Sequence, residues 1–229
     1  MKLLIVQSLD ALKTIWTEVR FYAKHQFFFL YAVVVYSFLK KNEPLKLHLG
    51  CGQIHMDDWL NIDIVKYPEV DVCVDLRRGF PFKRNSVNRI YAEHTFEHFS
   101  PSELASIFYQ SHRVLQPGSS LHFNIPDFER LTRSFLLKDN KTLAYLKKDL
   151  RRFHVEFNNK PRAVQDNYYF DHVLHQLGEH KFYYTFPLLK SMLLAAGFQK
   201  VEQSFYMPHQ NKVDIKSRKP YSLFVEAVK

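Results

Sequence analysis

Cysteine is scarce. Cys51 and Cys73 are the two among 229 residues, and neither belongs to a CxxC or histidine-rich spacing. That argues against a disulfide scaffold or a cysteine-based structural zinc site and fits a reducing, cytoplasmic compartment. Long apolar runs are missing too. Phe27 to Leu39 is nearly unbroken but shorter than the roughly 20 residues a membrane-crossing helix needs, and no small-residue cleavage site follows it. Repeats and low-complexity segments are not visible. At 46% hydrophobic and 24% charged the chain is neither disordered nor collagen-like, and its length suits one well-buried domain with an appendage.

The excesses are aromatic residues, at 16%, and a formal charge of +9. The charge is local. Met1 to Pro44 carries six Lys/Arg against three Asp/Glu, and Phe128 to Gln165 carries ten against four. The remainder is balanced. A basic stretch attracts nucleic acid, anionic lipid or an acidic substrate, but its simplest form is a solvated helix face. Within 1–44, Leu9, Leu12, Trp16 and Val19 recur at helical steps, predicting an N-terminal helical extension. It is expected to dock on the domain or on a second copy as a homodimer contact. Its aromatics and the flanking Lys40 and Lys41 also suit a peripheral membrane surface.

From residue 45 to 229 short apolar runs alternate with helix-length segments. Strands are predicted at Leu45–Leu49, Leu60–Ile64, Val70–Val74, Arg89–Glu93, Ser120–Ile125, Lys200–Phe205 and Ser222–Val228. Helices are predicted at Ser102–Leu115, opened by Ser100-Pro101 and closed by Pro117-Gly118, and at Phe186–Ala196, closed by Gly197. The rhythm predicts an α/β fold, a doubly wound, mostly parallel seven-stranded sheet of the Rossmann-like kind. Ligands of such sheets bind at the carboxyl ends of the strands, near the switch point.

Glycine is rare, six in all, and two stand together in Leu49-Gly50-Cys51-Gly52, immediately after the first strand. Glycine there permits backbone torsions closed to other residues and close approach of a ligand. The second strand delivers Asp63 at its carboxyl end, suited to accept both hydroxyls of a ribose. The third delivers Asp75, suited to accept from an adenine amino group.

LHLGCG at Leu47–Gly52, WLNIDI at Trp59–Ile64 and DVCVDLRRGFPFKRNSVNRIYAEHTFEH at Asp71–His98 are followed by HRVLQPGSSLHFNIPD at His112–Asp127 and AAGF at Ala195–Phe198. In this order the stretches resemble the class I S-adenosylmethionine-dependent methyltransferases, in particular the type 11-like group associated with glycan and cell-surface biosynthesis. The resemblance implies S-adenosyl-L-methionine as cofactor. Gly50, Cys51 and Gly52 would pass under its methionine part, Asp63 would hold the ribose, Asp75 with Leu76 the adenine, and His94 would stand beside the methyl. One departure is plain: only Gln53 to Trp59 separates the glycine turn from the second strand, too short for the usual helical crossover.

His94 is also the first choice for a general base, since imidazole titrates near neutrality, and Asp127 at the end of the fifth strand is the second. Read alone, His94 to His98 is an H-x-x-E-H string, the spacing that sets two imidazoles for zinc on one helix face. Here it straddles a strand end, so a zinc hydrolase is not expected, and no resident metal is assigned to it.

The segment 128–186 exceeds the connection the core needs and is predicted to form a cap. Its Tyr168, Tyr169, His172, His175, His180, Tyr183 and Tyr184 suit a polar ring, and Asp171, His172, His175 and His180 form a possible metal set. The expected acceptor is a small polar or glycan-type molecule, methylated at oxygen. The alternatives are an RNA-binding or RNA-methylating protein using the basic insertion, and an inactive scaffold retaining the fold. No RNA-recognition signature is present, so nucleic acid is not an expected partner.

Overall fold

The computed structural model describes residues 45–139, 141–142, 144, 159–204 and 221–229. The predicted N-terminal helix lies outside them, as does 145–158 of the basic stretch.

Seven strands form one sheet: β1 Leu45–Leu49, β2 Leu60–Asp63, β3 Val72–Cys73, β4 Val87–Glu93, β5 Leu115–Pro126, β6 Lys200–Gln203 and β7 Ser222–Val228. Their order is β3-β2-β1-β4-β5-β7-β6. The pairings among β1 to β5 are parallel, and β7 runs antiparallel to both β5 and β6. The sheet is mostly parallel, as the sequence predicts, and also carries one antiparallel hairpin. The chain winds outward from β1 to β3 and then returns to the other side of β1 to make β4. That reversal is the switch point, and it splits the strand ends between β1 and β4.

Two helices pack on the sheet, α1 Pro101–Val114 and α4 Phe186–Ala195, and two pack on each other, α2 Phe128–Leu136 and α3 Arg162–His175. The start of α1 is set locally: Ser100 and Glu103 form a reciprocal capping box with Pro101 in the first turn. Leu104, Ile107, Phe108, Ser111 and Val114 then recur at helical spacing and are buried. Phe108 meets Phe96 and Phe123, with ring centroids 5.0 to 5.7 Å apart among the three. All three are fully buried, so truncating one to alanine costs about 3–5 kcal/mol.

Two boundaries differ from expectation. Pro117-Gly118 does not separate helix from strand; β5 begins at Leu115, directly after α1. Leu115 pairs with Val87 and Ser120 with Arg89, so the Pro-Gly segment is an irregularity inside the ladder. β3 is only two residues long because it is the sheet edge.

Between Gly52 and β2 there is no helix, as the seven-residue spacing predicts. Asn61, fully buried on β2, takes over the closing role. Its amide donates to the Met56 and Trp59 carbonyls and to Asp71, while its oxygen accepts the Met56 N–H at 2.9 Å. The same oxygen faces Nδ1 of His48 at 3.1 Å, on neighbouring β1. Burial pushes the His48 imidazole down to about 4, against the opposing hydrogen bond from Asn61.

α2 and α3 share a second small core of Leu131, Tyr169, Val173, Leu174 and Tyr221. It sits at the carboxyl end of β5, where the Asp127 N–H donates to the Tyr221 carbonyl at 2.8 Å.

Candidate active site

The carboxyl ends of β1 to β4 open on one cleft of about 380 Å³, a size that takes a small organic ligand. Gly50, Asp63, Asp75, Leu76 and His94 line it. Cys51, Gly52 and Asp127 do not.

Gly50 adopts φ +63 with its α-carbon against Thr95. A Cβ there would collide with that side chain, coming within 2.9 Å of the Thr95 Cβ. The Thr95 hydroxyl is shared between the Leu49 and Glu93 carbonyls at 3.3 and 3.1 Å, so the turn after β1 is clamped to the end of β4. The Cys51 N–H donates to the Ile62 carbonyl at 3.0 Å. Its thiol is buried, and burial pushes it up to about 12, which keeps it protonated and unreactive. Cys51 thus serves the turn through its backbone.

Gly52 donates its N–H to Asp63 Oδ2 at 2.8 Å, and Asp63 Oδ1 accepts the Val65 N–H at 2.8 Å. One carboxylate therefore ties the glycine turn to the end of β2. An ionised carboxyl has about four acceptor positions, so these two bonds leave capacity toward the cleft. Asp75 is different. It accepts Nε and Nη2 of Arg77 at 2.7 and 2.8 Å, Nε of Arg78 at 3.2 Å and the Arg77 N–H at 3.1 Å. Four donors saturate it, which opposes the role of accepting from an adenine amine. Apolar Ile64, Val74 and Leu76 form the wall beside it.

His94 follows β4 in a left-handed conformation, φ 47, uncommon for a residue with a side chain. Its N–H donates to the Asn124 carbonyl at 2.9 Å, which holds the strain in place. Nε2 lies 2.8 Å from Ser222 Oγ, and Nδ1 lies 3.2 Å from Glu97 Oε1. With the proton on Nδ1 facing the carboxylate, Nε2 carries a lone pair that the Ser222 hydroxyl meets; the network assigns this tautomer. Burial works against ionising Glu97, yet the contact with His94 and the fields of His98 and His180 hold its carboxyl below the usual range.

The H-x-x-E-H string is not helical. His94 is left-handed and Phe96–His98 form a single 3-10 turn, so the two imidazoles share no helix face. Asp127 is an N-cap: its Oδ1 accepts the Arg130 N–H at 3.0 Å and starts α2. As placed, it stands outside the cleft. The metal set read along 171–180 does not converge either. Asp171 pairs with His175 at 2.7 Å on the exposed face of α3, whereas His180 turns toward Glu97.

The sequence reading missed Thr95, Arg77, His98, Glu179 and Lys181 as cleft residues. Arg77 had a local signal, since basic residues two and three positions after an N-cap acid close a short turn. Lys181 had none. It arrives from beyond α3, donates its N–H to the Glu97 carbonyl at 2.9 Å and reaches Glu103 at 3.3 Å.

No protein-family profile matches the chain, nor does the sequence of any curated protein. Solved structures do match. A SAM-dependent methyltransferase from Archaeoglobus fulgidus superposes with a TM-score of 0.50 at 13% identity, over 87% of this chain and 93% of that one. A SAM-dependent methyltransferase from Thermotoga maritima, described as a possible histamine N-methyltransferase, gives 0.43 at 14% identity over 95% and 97%. Phosphoethanolamine N-methyltransferase 2 of Haemonchus contortus, in complex with S-adenosyl-L-methionine, gives 0.43 at 13% over 83% and 51%. The Archaeoglobus protein and this chain share the fold of the SAM-dependent methyltransferases.

Proposed function

We propose that this chain is a methyltransferase that uses S-adenosyl-L-methionine and acts on a small polar or glycan-related acceptor at oxygen. The observation that carries the reading is the meeting of Gly50 and Asp63 at the switch point, on a cleft that His94 also lines. The residues fit the cofactor where it asks most of the chain. Gly50 leaves no side chain between the turn and the ligand, and Asp63 keeps acceptor capacity for the ribose hydroxyls. Ile64, Val74 and Leu76 offer an apolar wall that would take the adenine, while Asp75 locks the turn through Arg77.

Bound there, the cofactor supplies a methyl group on a sulfonium, already joined to a good leaving group. The chain's task is alignment and exclusion of water. An acceptor hydroxyl takes the place of Ser222 as donor to Nε2 of His94, which accepts its proton during attack. Glu97 keeps the imidazole oriented through Nδ1. Glu179 and Lys181, which follow α3, stand on the cleft wall and would face an entering acceptor. Among the described residues no helix is long and apolar enough to cross a membrane. The cytoplasmic reading, with residues 1–44 as a membrane-surface or dimer contact, belongs to this proposal.

Calorimetric titration with S-adenosyl-L-methionine and its demethylated product tests the reading. A saturable one-site isotherm for both, lost in Asp63→Ala, is the expected result. No heat with either compound, in protein that melts cooperatively, overturns it.

A further inference from the structure

Glu97, His98 and His180 come together from two distant parts of the chain. A potential ligand atom of each lies within 4.8 Å of the others. Glu97 is 3% exposed, and neither of its oxygens receives a well-directed hydrogen bond, although His94 Nδ1 stands 3.2 Å from Oε1. A buried carboxylate so placed is costly unless a cation faces it. Both histidines have their other nitrogen fixed by backbone. Nδ1 of His98 faces the Glu179 carbonyl at 3.2 Å and Nδ1 of His180 faces the Leu174 carbonyl at 2.8 Å. A carbonyl only accepts, so each Nδ1 carries a proton, and whenever the ring is neutral its Nε2 lone pair is turned the other way. That is the arrangement that orients imidazole for a metal.

Two further contacts agree. Gln176 Oε1 stands 2.9 Å from His180 Nε2, and its amide is held in that sense by a bond to Glu179 Oε2 at 2.8 Å. Acceptor against acceptor is unfavourable, and an ion between them resolves it by taking both. A cavity of about 10 Å³ also touches Glu97 and His180, room for about one water-sized occupant.

We propose that Glu97, His98 and His180, with Gln176 beside them, bind one divalent transition-metal ion of the zinc class at the rim of the cleft. Two imidazoles and a carboxylate suit Zn²⁺ or Co²⁺ and not Mg²⁺ or Ca²⁺, which ask for oxygen. His98 lines the cleft as well, so an open coordination position there faces the entering acceptor. Its use in lowering the pKa of an acceptor hydroxyl rests on the methyl-transfer reading; the binding of the ion does not.

The test uses the full chain, stripped with a chelator and titrated with Zn²⁺ by calorimetry and with Co²⁺ by visible absorption. The expected result is a single equivalent at micromolar affinity or tighter, with the intense ligand-field bands of low-coordinate Co²⁺. His98→Ala and His180→Ala should each weaken Zn²⁺ binding by at least the ~10–100-fold that loss of an outer-shell partner already costs. His175→Ala, whose ring is paired with Asp171, should leave it unchanged. Glu97→Gln adds to the set if it folds; partly exposed His98 keeps the test decisive if it does not. No binding at micromolar Zn²⁺, or binding unaltered in both histidine variants, overturns the proposal. S-adenosyl-L-methionine titrated into the same protein separates this failure from failure of the methyl-transfer reading.

Discussion

His94 Nε2 and Ser222 Oγ lie 2.8 Å apart although 128 positions separate them in the chain. The bond joins the carboxyl end of β4 to the start of β7. With Glu97 on the opposite nitrogen, it fixes the ring plane of the proposed base. Replacing His94 by alanine is expected to lower turnover by about 10²–10⁴-fold while cofactor affinity stays within about threefold, since binding is assigned elsewhere. Initial rates with a productive acceptor, set against calorimetry, check it; an unchanged rate removes His94 from the chemistry.

The left-handed backbone at His94 gives a second expectation. His94→Gly and His94→Ala lose the same hydrogen bonds, but glycine pays no Cβ penalty at φ 47. The glycine variant should be more stable by about 1–2 kcal/mol in denaturant melts. Equal stabilities would mean that the turn relaxes once the ring is gone.

Gly50 and Gly52 both have positive φ, yet their surroundings differ. A methyl at Gly50 meets Thr95, and a methyl at Gly52 meets nothing within 4 Å. Gly52→Ala should therefore cost only the backbone term, about 1–2 kcal/mol. Gly50→Ala should cost more than that and weaken S-adenosyl-L-methionine binding, because the clamp to β4 must open. Chemical denaturation and titration of the two variants side by side would show it.

Asp63→Ala removes the acceptor of the half-buried Gly52 N–H and of the exposed Val65 N–H, as well as the proposed ribose contact. We expect cofactor binding below calorimetric detection, with a melt that stays cooperative but is destabilised by about 1–3 kcal/mol through the unpaired Gly52 donor, since water can serve the exposed Val65 N–H. Retained tight binding would place the nucleoside elsewhere.

His48 supplies a pH dependence. Its folded pKa, about 4, lies below the ordinary 6.5. The unfolded chain therefore binds the extra proton first, and stability falls as pH drops from about 6.5 toward 4. Between pH 7 and pH 5 the loss from this group is on the order of 2 kcal/mol. The stability difference between wild type and His48→Leu should shift toward the variant by that amount over the same range. A pH-independent difference would mean the folded ring takes up a proton as readily as the unfolded one.

What could be read along the chain was whatever neighbouring residues decide among themselves. Alternating short apolar runs place β1, β2 and β4 because burial on both faces of a parallel sheet needs them there. Ser100, Pro101 and Glu103 start α1 by bonds within one turn, and the glycine turn with Asp63 is legible because each sits at the end of its own strand. Even Asp75 was locally decided, by the two arginines that follow it and bond its oxygens.

The rest belongs to the tertiary structure. Nothing near Glu97 announces His180, nothing near His94 announces Ser222, and Asp127 reads as a strand-end acid until α2 claims it as a cap. These relationships depend on where the hairpin of β6 and β7 returns beside β5 and on where the segment after α3 crosses the strand ends. A sequence specifies an element through periodicity and punctuation over a few residues. Which side chains then face one another across the sheet is settled by global packing, where each contact is one of many that the buried core must satisfy at once.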